Sequence, residues 1–360
     1  MQRILKKSWS TYTPATEEQK AALMGVPPFL AQLMVNRGIT TLDEAAQFLN
    51  AAQPENCDPF LLSTMETAVE RILLAVERQE PIAVYGDYDV DGVTATVLLV
   101  QVLEALEAVV EPYIPNRFDE GYGLNNEALD SLFARGTRLV VTVDCGIRSA
   151  AEAGHAREIG LDLIITDHHH PLAEVPNALA VINPKQAGDS YPDKDLTGVG
   201  LAYKLAEALF QRCQPEGVVL ENWLDLVALG TVADLAPLVG ENRYFVRAGL
   251  ERIRAPRRPG LFALANVAGL DIRKTTATDI GFVLGPRLNA AGRLESASAA
   301  YSLLNSRTTP EAAPLAMQLD NQNQERKRLT RMIETHVQEQ ISALPDDGFL
   351  IFAVDGSYNS

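Results

Sequence analysis

Apolar residues recur along the chain in two rhythms, and the changes between them mark its organisation. Up to about residue 50 the spacing is helical. PPFLAQLMVNRGI and TLDEAAQFLN carry apolar residues on one helical face, and Thr41 or Asp43 offers a cap for the second helix. AAQPENCDPF (51–60) reads as a linker, and Thr64–Gln79 as an amphipathic helix. From Ile82 to Asn183 short, mainly apolar runs take over as strand candidates: IAVYG, VEPYI, RLVVTV, LDLIIT and ALAVI. Helical stretches at Val93–Val109, Asn125–Ala134 and Ile147–Ile159 separate them. Continuous aliphatic runs belong to strands buried on both faces. Strand and helix in alternation predict an α/β fold, a parallel sheet flanked by helices.

After Asn183 the pattern is helical. Asp195–Phe210 and Leu224–Leu238 are predicted helices, and short helices with the loop GPRLNAAGR (Gly285 to Arg293) fill 243–305. Thr309–Leu344 is a long helix whose middle, DNQNQERKRLTR, is polar nearly all round, the character of a helix that connects domains through solvent. The closing GFLIFAVDGSYNS begins an apolar strand without partners, and a lone strand is not stable. The chain is therefore expected to continue into a second, mostly missing α/β domain. The expected division is an N-terminal helical segment and linker (1–60), the α/β domain (61–308), the connecting helix (309–345) and the start of the truncated domain (346–360).

Candidate chemistry sits where the strands stop. The first ends in GDYDVDG, with Asp87, Asp89 and Asp91 at alternate positions; RLVVTV is followed by Asp144, and LDLIIT by Asp167, His168, His169 and His170. Ligand sites in parallel sheets lie beyond the carboxyl ends of the strands, so these groups can converge. Crowded carboxylates repel unless a cation lies between them. Between Ile82 and Val100 there is neither Lys nor Arg, which leaves a metal ion as the counter-charge. The alternatives are structural: an acidic turn capping the next helix for the first three aspartates, and an N-cap before Ile147 for Asp144. Asp234, the acidic residue in the second half of LDLVALGTVADLAPL, is a fourth candidate ligand, because a carboxylate in so apolar a stretch is costly to bury unpaired; Asp225 reads as an exposed or capping position. Gly198 and Gly200 either bring N–H groups to a phosphate or permit tight packing. Arg287 and Arg293 either form a phosphate clamp or make salt bridges in a turn.

Composition narrows the picture. With 47% hydrophobic and 22% charged residues the chain is an ordinary globular sequence, and its 360 residues suit two domains. Its longest apolar runs fall short of the roughly 20 residues that span a bilayer, which argues against a membrane protein. Cys57, Cys145 and Cys213 are scattered and odd in number, which points to a reducing, cytoplasmic setting without disulfides or structural zinc. The net charge of −16 argues against nucleic-acid binding as a bulk property, although Arg252, Arg254, Arg257 and Arg258, and again Arg287 and Arg293, give local basic density. Carboxylates with imidazole and without a thiolate set suit Mn²⁺ or Mg²⁺. So many carboxylates imply two ions, the arrangement that hydrolyses a phosphate ester or anhydride.

GDYDVDG, VTVDCG, TDHHHP and GTVADLAPL, in this order, resemble the four motifs of the DHH phosphoesterase superfamily. PNRFDEGYGL, LTGVGLAYKL and GPRLNAAGRL are similar to its RecJ single-strand-specific exonuclease branch, and the likeness runs from about Ile82 to Leu294. The resemblance implies a DHH domain, a connecting helix and a second domain called DHHA1. It also implies 5′-to-3′ removal of mononucleotides from single-stranded DNA with Mn²⁺ or Mg²⁺, in recombination and repair. On matching positions Asp87, Asp89 and Asp91 form the first motif, Asp144 bridges two ions, and His168 binds one of them. His169 lies beside the scissile phosphate, and Asp234 completes the second ion's shell. Arg117, Arg287 and Arg293 contact the DNA backbone, with Gly198, Gly200 and Asn289 also on the substrate side. Expected partners are single-stranded DNA, a single-strand-binding protein and a helicase, with the chain a monomer. Two departures are visible: Cys145 where Asn is common, and Tyr85 where some members place a metal-binding histidine. A small-substrate phosphodiesterase or pyrophosphatase of the same superfamily is the alternative. A catalytically dead scaffold is disfavoured, because every matched acidic and histidine position is occupied.

Overall fold

The computed structural model describes residues 9–116, 121, 123–294 and 297–342, with the backbone alone at 293, 294, 341 and 342. Two compact units divide at Glu55. The first contains α1 (Glu17–Ala22), α2 (Pro28–Val35) and α3 (Leu42–Asn50), around a small core of Leu23, Ala31, Met34 and Ala45. Thr41 caps α3 in a capping box with Glu44, which settles the choice between Thr41 and Asp43.

The second unit holds α4 (Met65–Arg78), β1 (Ile82–Gly86), α5 (Val90–Ala105), β2 (Val110–Tyr113), α6 (Asn126–Ala134), β3 (Leu139–Val143), α7 (Ala150–Ile159), β4 (Asp162–Thr166) and β5 (Ala180–Ile182). The five strands form one all-parallel sheet in the order β2-β1-β3-β4-β5. All five strands predicted between Ile82 and Asn183 are present. Successive side chains take opposite faces. Ile82, Val84, Leu139, Val141, Val143 and Ile164 join the larger core, while Ala83, Tyr85, Val140, Leu163 and Ile165 join a smaller core with residues of α6 and α7. Pro112 lies in β2, an edge strand, where a missing N–H is tolerated. The register pairs Gly86 with Val143, Val143 with Thr166 and Thr166 with Ile182. The strands therefore end level, and the residues that follow them share one edge.

Helices complete the unit: α8 (Gly198–Arg212), α9 (Leu224–Ala233), α10 (Gly240–Arg254), α11 (Pro259–Val267), α12 (Ala277–Asp279), a π-helical turn (Ile280–Leu284), α13 (Gly285–Leu294), α14 (Ser298–Asn305) and α15 (Thr309–Ser342). Helix α15 packs its first half on α11, α13 and α14, burying Ala312, Ala316 and Leu319.

Several boundaries differ from expectation for local reasons. Helix α5 begins at Val90, three residues early, because Asp89 Oδ1 accepts from Gly92 N and caps it. Helix α9 stops at Ala233: Leu235 is left-handed (φ 61°) and Pro237 follows, so the helix cannot run on to Leu238. GPRLNAAGR is part of helix α13 and not a loop. Asp225 is buried, not exposed, in an ion pair with Arg258 at 2.9 Å. The strand expected after residue 345 lies outside the described residues.

Candidate metal centre and active site

Level strand ends place Asp87 after β1, Asp144 after β3, and Asp167 with His168 and His169 after β4. Asp144 has φ 63°, a left-handed conformation that costs a non-glycine residue on the order of 1 kcal/mol. Its surroundings hold it there. Asp144 N donates to Thr166 O at 3.0 Å, the Thr142 hydroxyl donates to Cys145 O at 2.7 Å, and Thr166 Oγ1 donates to Thr142 O at 2.8 Å.

Helices α8, α9 and α13 close over this edge. The first turn of α8 grips Asp91: Gly198 N donates to Oδ2 at 2.6 Å and Val199 N to Oδ1 at 2.9 Å. Gly200 N is taken by the capping Thr197 hydroxyl. The N–H groups predicted to approach a phosphate therefore hold a carboxylate and a cap. Packing is the second role of these glycines: a Cβ at Gly198 would lie 2.5 Å from Asp144 Cβ, and one at Gly230 of α9 would lie 2.8 Å from Asp91 Oδ1. Asp234 caps the C-terminus of α9. On α13, Asn289 Oδ1 accepts from Val90 N at 3.1 Å, between the second and third aspartates.

The convergent donors form three overlapping groups whose ligand atoms lie within 4.8 Å of one another: Asp87, Asp89 and Asp144; Asp91, His168 and Asp234; Asp144, His168 and His169. Asp144 is common to two of them. Asp87 Oδ1, Asp144 Oδ1 and His168 Nε2 are buried without a hydrogen-bond partner. His168 Nε2 is 3.1 Å from Asp144 Oδ1 yet makes no hydrogen bond to it, an arrangement that suits two ligands of one cation.

Electrostatics agree with this geometry. Burial, reinforced by Asp89, pushes the Asp87 carboxyl up to about 7, and burial with the same neighbour pushes Asp234 up to about 6. Asp91 and Asp144 are driven well above the carboxylate range, first by burial and then by other aspartates. Burial lowers His168 to about 4, so its ring is neutral and presents a lone pair. His169 moves the other way: its Nδ1 lies 2.7 Å from Asp167 Oδ1, and that hydrogen bond raises it. Burial would raise Asp167 itself, but hydrogen bonds from the His169 ring, His169 N and Ile147 N together lower it. Carboxylates held by burial in a form that resists charging, with unpartnered oxygens, fit a hard divalent cation.

Asp87, Asp89, Asp91, Asp144, His168, His169 and Asp234 come together here, whereas His170, expected with them beyond β4, is exposed and outside the three groups. Among the predicted substrate residues, Asn289 reaches the edge of the cluster, whereas Arg287 is bound by Asp320 at 2.8 Å and by Val283 O at 2.7 Å. Arg117 and the side chain of Arg293 lie outside the described residues. Tyr85 is buried in the smaller core, stacked on Tyr113 with its hydroxyl donating to Gly123 O, and Cys145 packs in the same core. Both departures thus sit beneath the metal edge. The sequence reading missed the anchoring role of Asp167, whose signal was an aspartate directly preceding the histidine run.

Residues 81–231 match the family described as DHH family, N-terminal domain. A single-stranded-DNA-specific exonuclease RecJ from Bacillus subtilis (strain 168) is 42% identical over 356 residues, covering 98% of this chain and 44% of the relative. Its namesake from Escherichia coli (strain K12) is 42% identical over 315 residues, covering 84% of this chain and 54% of the relative. The chain spans about half the length of these curated relatives. A crystal structure of exonuclease RecJ bound to manganese superposes with a TM-score of 0.71 at 38% identity, over 78% of this chain and 70% of that one. Among the described residues no helix is long and apolar enough to cross a membrane. On these grounds the chain belongs to the DHH family and, within it, to the RecJ branch.

Proposed function

We propose that this chain hydrolyses phosphodiester bonds of single-stranded DNA from the 5′ end, releasing mononucleotides with two Mn²⁺ or Mg²⁺ ions. The observation that carries the reading is the shared Asp144, whose buried, unpartnered Oδ1 lies between two donor groups. Asp87, Asp89 and Asp144 would hold one ion and Asp91, His168 and Asp234 the other, while Asp144 also groups with His168 and His169. Bound there, the ions neutralise the carboxylates, polarise phosphoryl oxygens and supply a water of lowered pKa.

The chain's own residues do the rest. The first turn of α8 fixes both oxygens of Asp91, so the carboxylate cannot rotate. His169 is half-buried, and its hydrogen bond to Asp167 raises its pKa and favours the protonated ring; with Nδ1 held by Asp167, a proton passed to a leaving oxygen would go through Nε2. Asn289 orders the backbone between Asp89 and Asp91.

The same reading makes single-stranded DNA the partner, with a single-strand-binding protein and a helicase acting alongside, and a cytoplasmic monomer working in recombination and repair. It also divides the chain into an N-terminal helical segment, the DHH domain, the connecting helix α15 and the start of a further domain. The test uses a single strand labelled at its 3′ end with Mn²⁺, comparing the protein with Asp144→Ala. A ladder that shortens from the 5′ end and vanishes with the substitution supports the proposal. An untouched long strand with cleaved dinucleotides transfers it to the small-substrate alternative.

A further inference from the structure

Arg287, the arginine expected to meet phosphate, is tied to Asp320 of α15. The same helix supplies a different arginine to the active-site edge. Arg326 lines a pocket of about 150 Å³ whose other walls are Ala233, Gly281, Gly285, Pro286 and Asn289. Two of these walls adjoin the metal centre directly: Ala233 precedes Asp234, and Asn289 accepts from Val90 between Asp89 and Asp91. The pocket is thus one residue away from the candidate ligands on two sides.

Among the described residues its lining offers donors. Since Asn289 Oδ1 is used by Val90 N, the group this amide can offer a ligand is its NH₂. Arg326 offers only donors, and its Nη2 is steadied by Asn323 Oδ1 at 3.1 Å, on a fully buried side chain. Among the described residues the remaining walls are small residues and a proline, without an aromatic ring on which a base could stack, so a compact anion is the matching guest.

We propose that this pocket is a strand-phosphate subsite: Arg326 and Asn289 take a non-reacting phosphate of the single strand, next to the one held at the metal centre. The inference rests on the exonuclease reading above and adds the connecting helix to the substrate-binding surface. It makes Arg326 a binding residue and Asn323 a positioning residue.

The experiment measures equilibrium binding of a fluorescein-labelled single-stranded 12-mer, by anisotropy in EDTA, for the full chain, Arg326→Gln and Arg326→Lys. A second set of strands carries one neutral methylphosphonate at each linkage in turn. Loss of a charge-assisted contact should weaken Arg326→Gln by about tenfold or more. The slope of log affinity against log salt should fall by about 0.7, the share of one phosphate on a single strand. One methylphosphonate position should weaken the parent chain and leave Arg326→Gln indifferent, with Arg326→Lys keeping the salt slope. A parent chain that binds the strand while Arg326→Gln matches it, or loses affinity with an unchanged slope and uniform methylphosphonate sensitivity, overturns the subsite alone. A parent chain that holds no single strand, yet cleaves dinucleotides with Mn²⁺, overturns the subsite together with the exonuclease reading.

Discussion

Gly198 and Gly200 lie two residues apart in one helix turn, and a single methyl group should separate their roles. In Gly198→Ala the new carbon would lie 2.5 Å from Asp144 Cβ and 2.8 Å from Asp144 Cγ and Oδ1. Carbon atoms settle at about 3.5–4.0 Å, so the overlap is about 1 Å. The neighbours are backbone-anchored, since Asp144 is held in its left-handed turn and Gly198 N is bonded to Asp91. Overpacking of this kind costs about 1–3 kcal/mol of stability. A carboxylate moved by about 1 Å should lower cleavage on the order of 100-fold. In Gly200→Ala the nearest contact would be Thr197 Oγ1 at 3.4 Å, an ordinary separation. Replacing a helical glycine then gains up to about 1 kcal/mol, and activity should hold. The assays are urea unfolding in EDTA and Mn²⁺-dependent cleavage of an end-labelled single strand. Equal losses in the two variants would refute the packing account and return both glycines to the phosphate reading.

In EDTA the folded protein should lose stability as pH rises from about 4 to about 7, because Asp87, Asp234, Asp91 and Asp144 hold protons that the unfolded chain has released. His168, lowered to about 4, acts with the opposite sign up to its ordinary value of 6.5, one group against four; a flat or rising profile in urea melts would contradict the carboxylate shifts. Mn²⁺ at 100 times its Kd should restore about 2.7 kcal/mol at the alkaline end. Asp167→Asn removes the bond that raises His169, so the His169 titration followed by NMR in metal-free protein should move down. In the parent chain the His169 contribution is complete below the unfolded pKa and lost as pH rises through the folded one, and this alkaline loss should disappear in the variant. Asp225→Ala strands a buried guanidinium and should cost about 3–5 kcal/mol, whereas Asp225→Leu with Arg258→Met should recover most of it; an additive double variant would argue against coupling.

The sheet was legible because strands buried on both faces leave an aliphatic signature; four such runs became β1, β3, β4 and β5, and the more polar run VEPYI became the partly exposed edge strand β2. The metal cluster followed, since position at a strand's end is itself sequence information. Features set by distant partners were not legible. Asp225 looks like a helix-start carboxylate until Arg258, 33 residues on, is folded against it. Gly285, Pro286 and Gly292 give α13 the look of a loop, yet the segment is helical where it packs on α15, and a Cβ at Gly292 would lie 2.7 Å from Tyr88 O. Arg287 could be placed near the site by sequence, but its capture by Asp320 depends on the seating of α15.

The grip of α8 on Asp91 joins groups 107 and 108 residues apart, and the bond from Val90 to Asn289 spans 199. Contacts of such span set the order of assembly on the ribosome. At about 5–20 residues per second, the first motif waits on the order of ten seconds for the donors of α8 to emerge. Until then the strand edge is a bare row of aspartates whose mutual repulsion opposes closure. The ion site is in this sense a certificate of completed folding: a nascent chain that stalls before Gly198 has the ligands of β1 and β3 but lacks the hand that holds them.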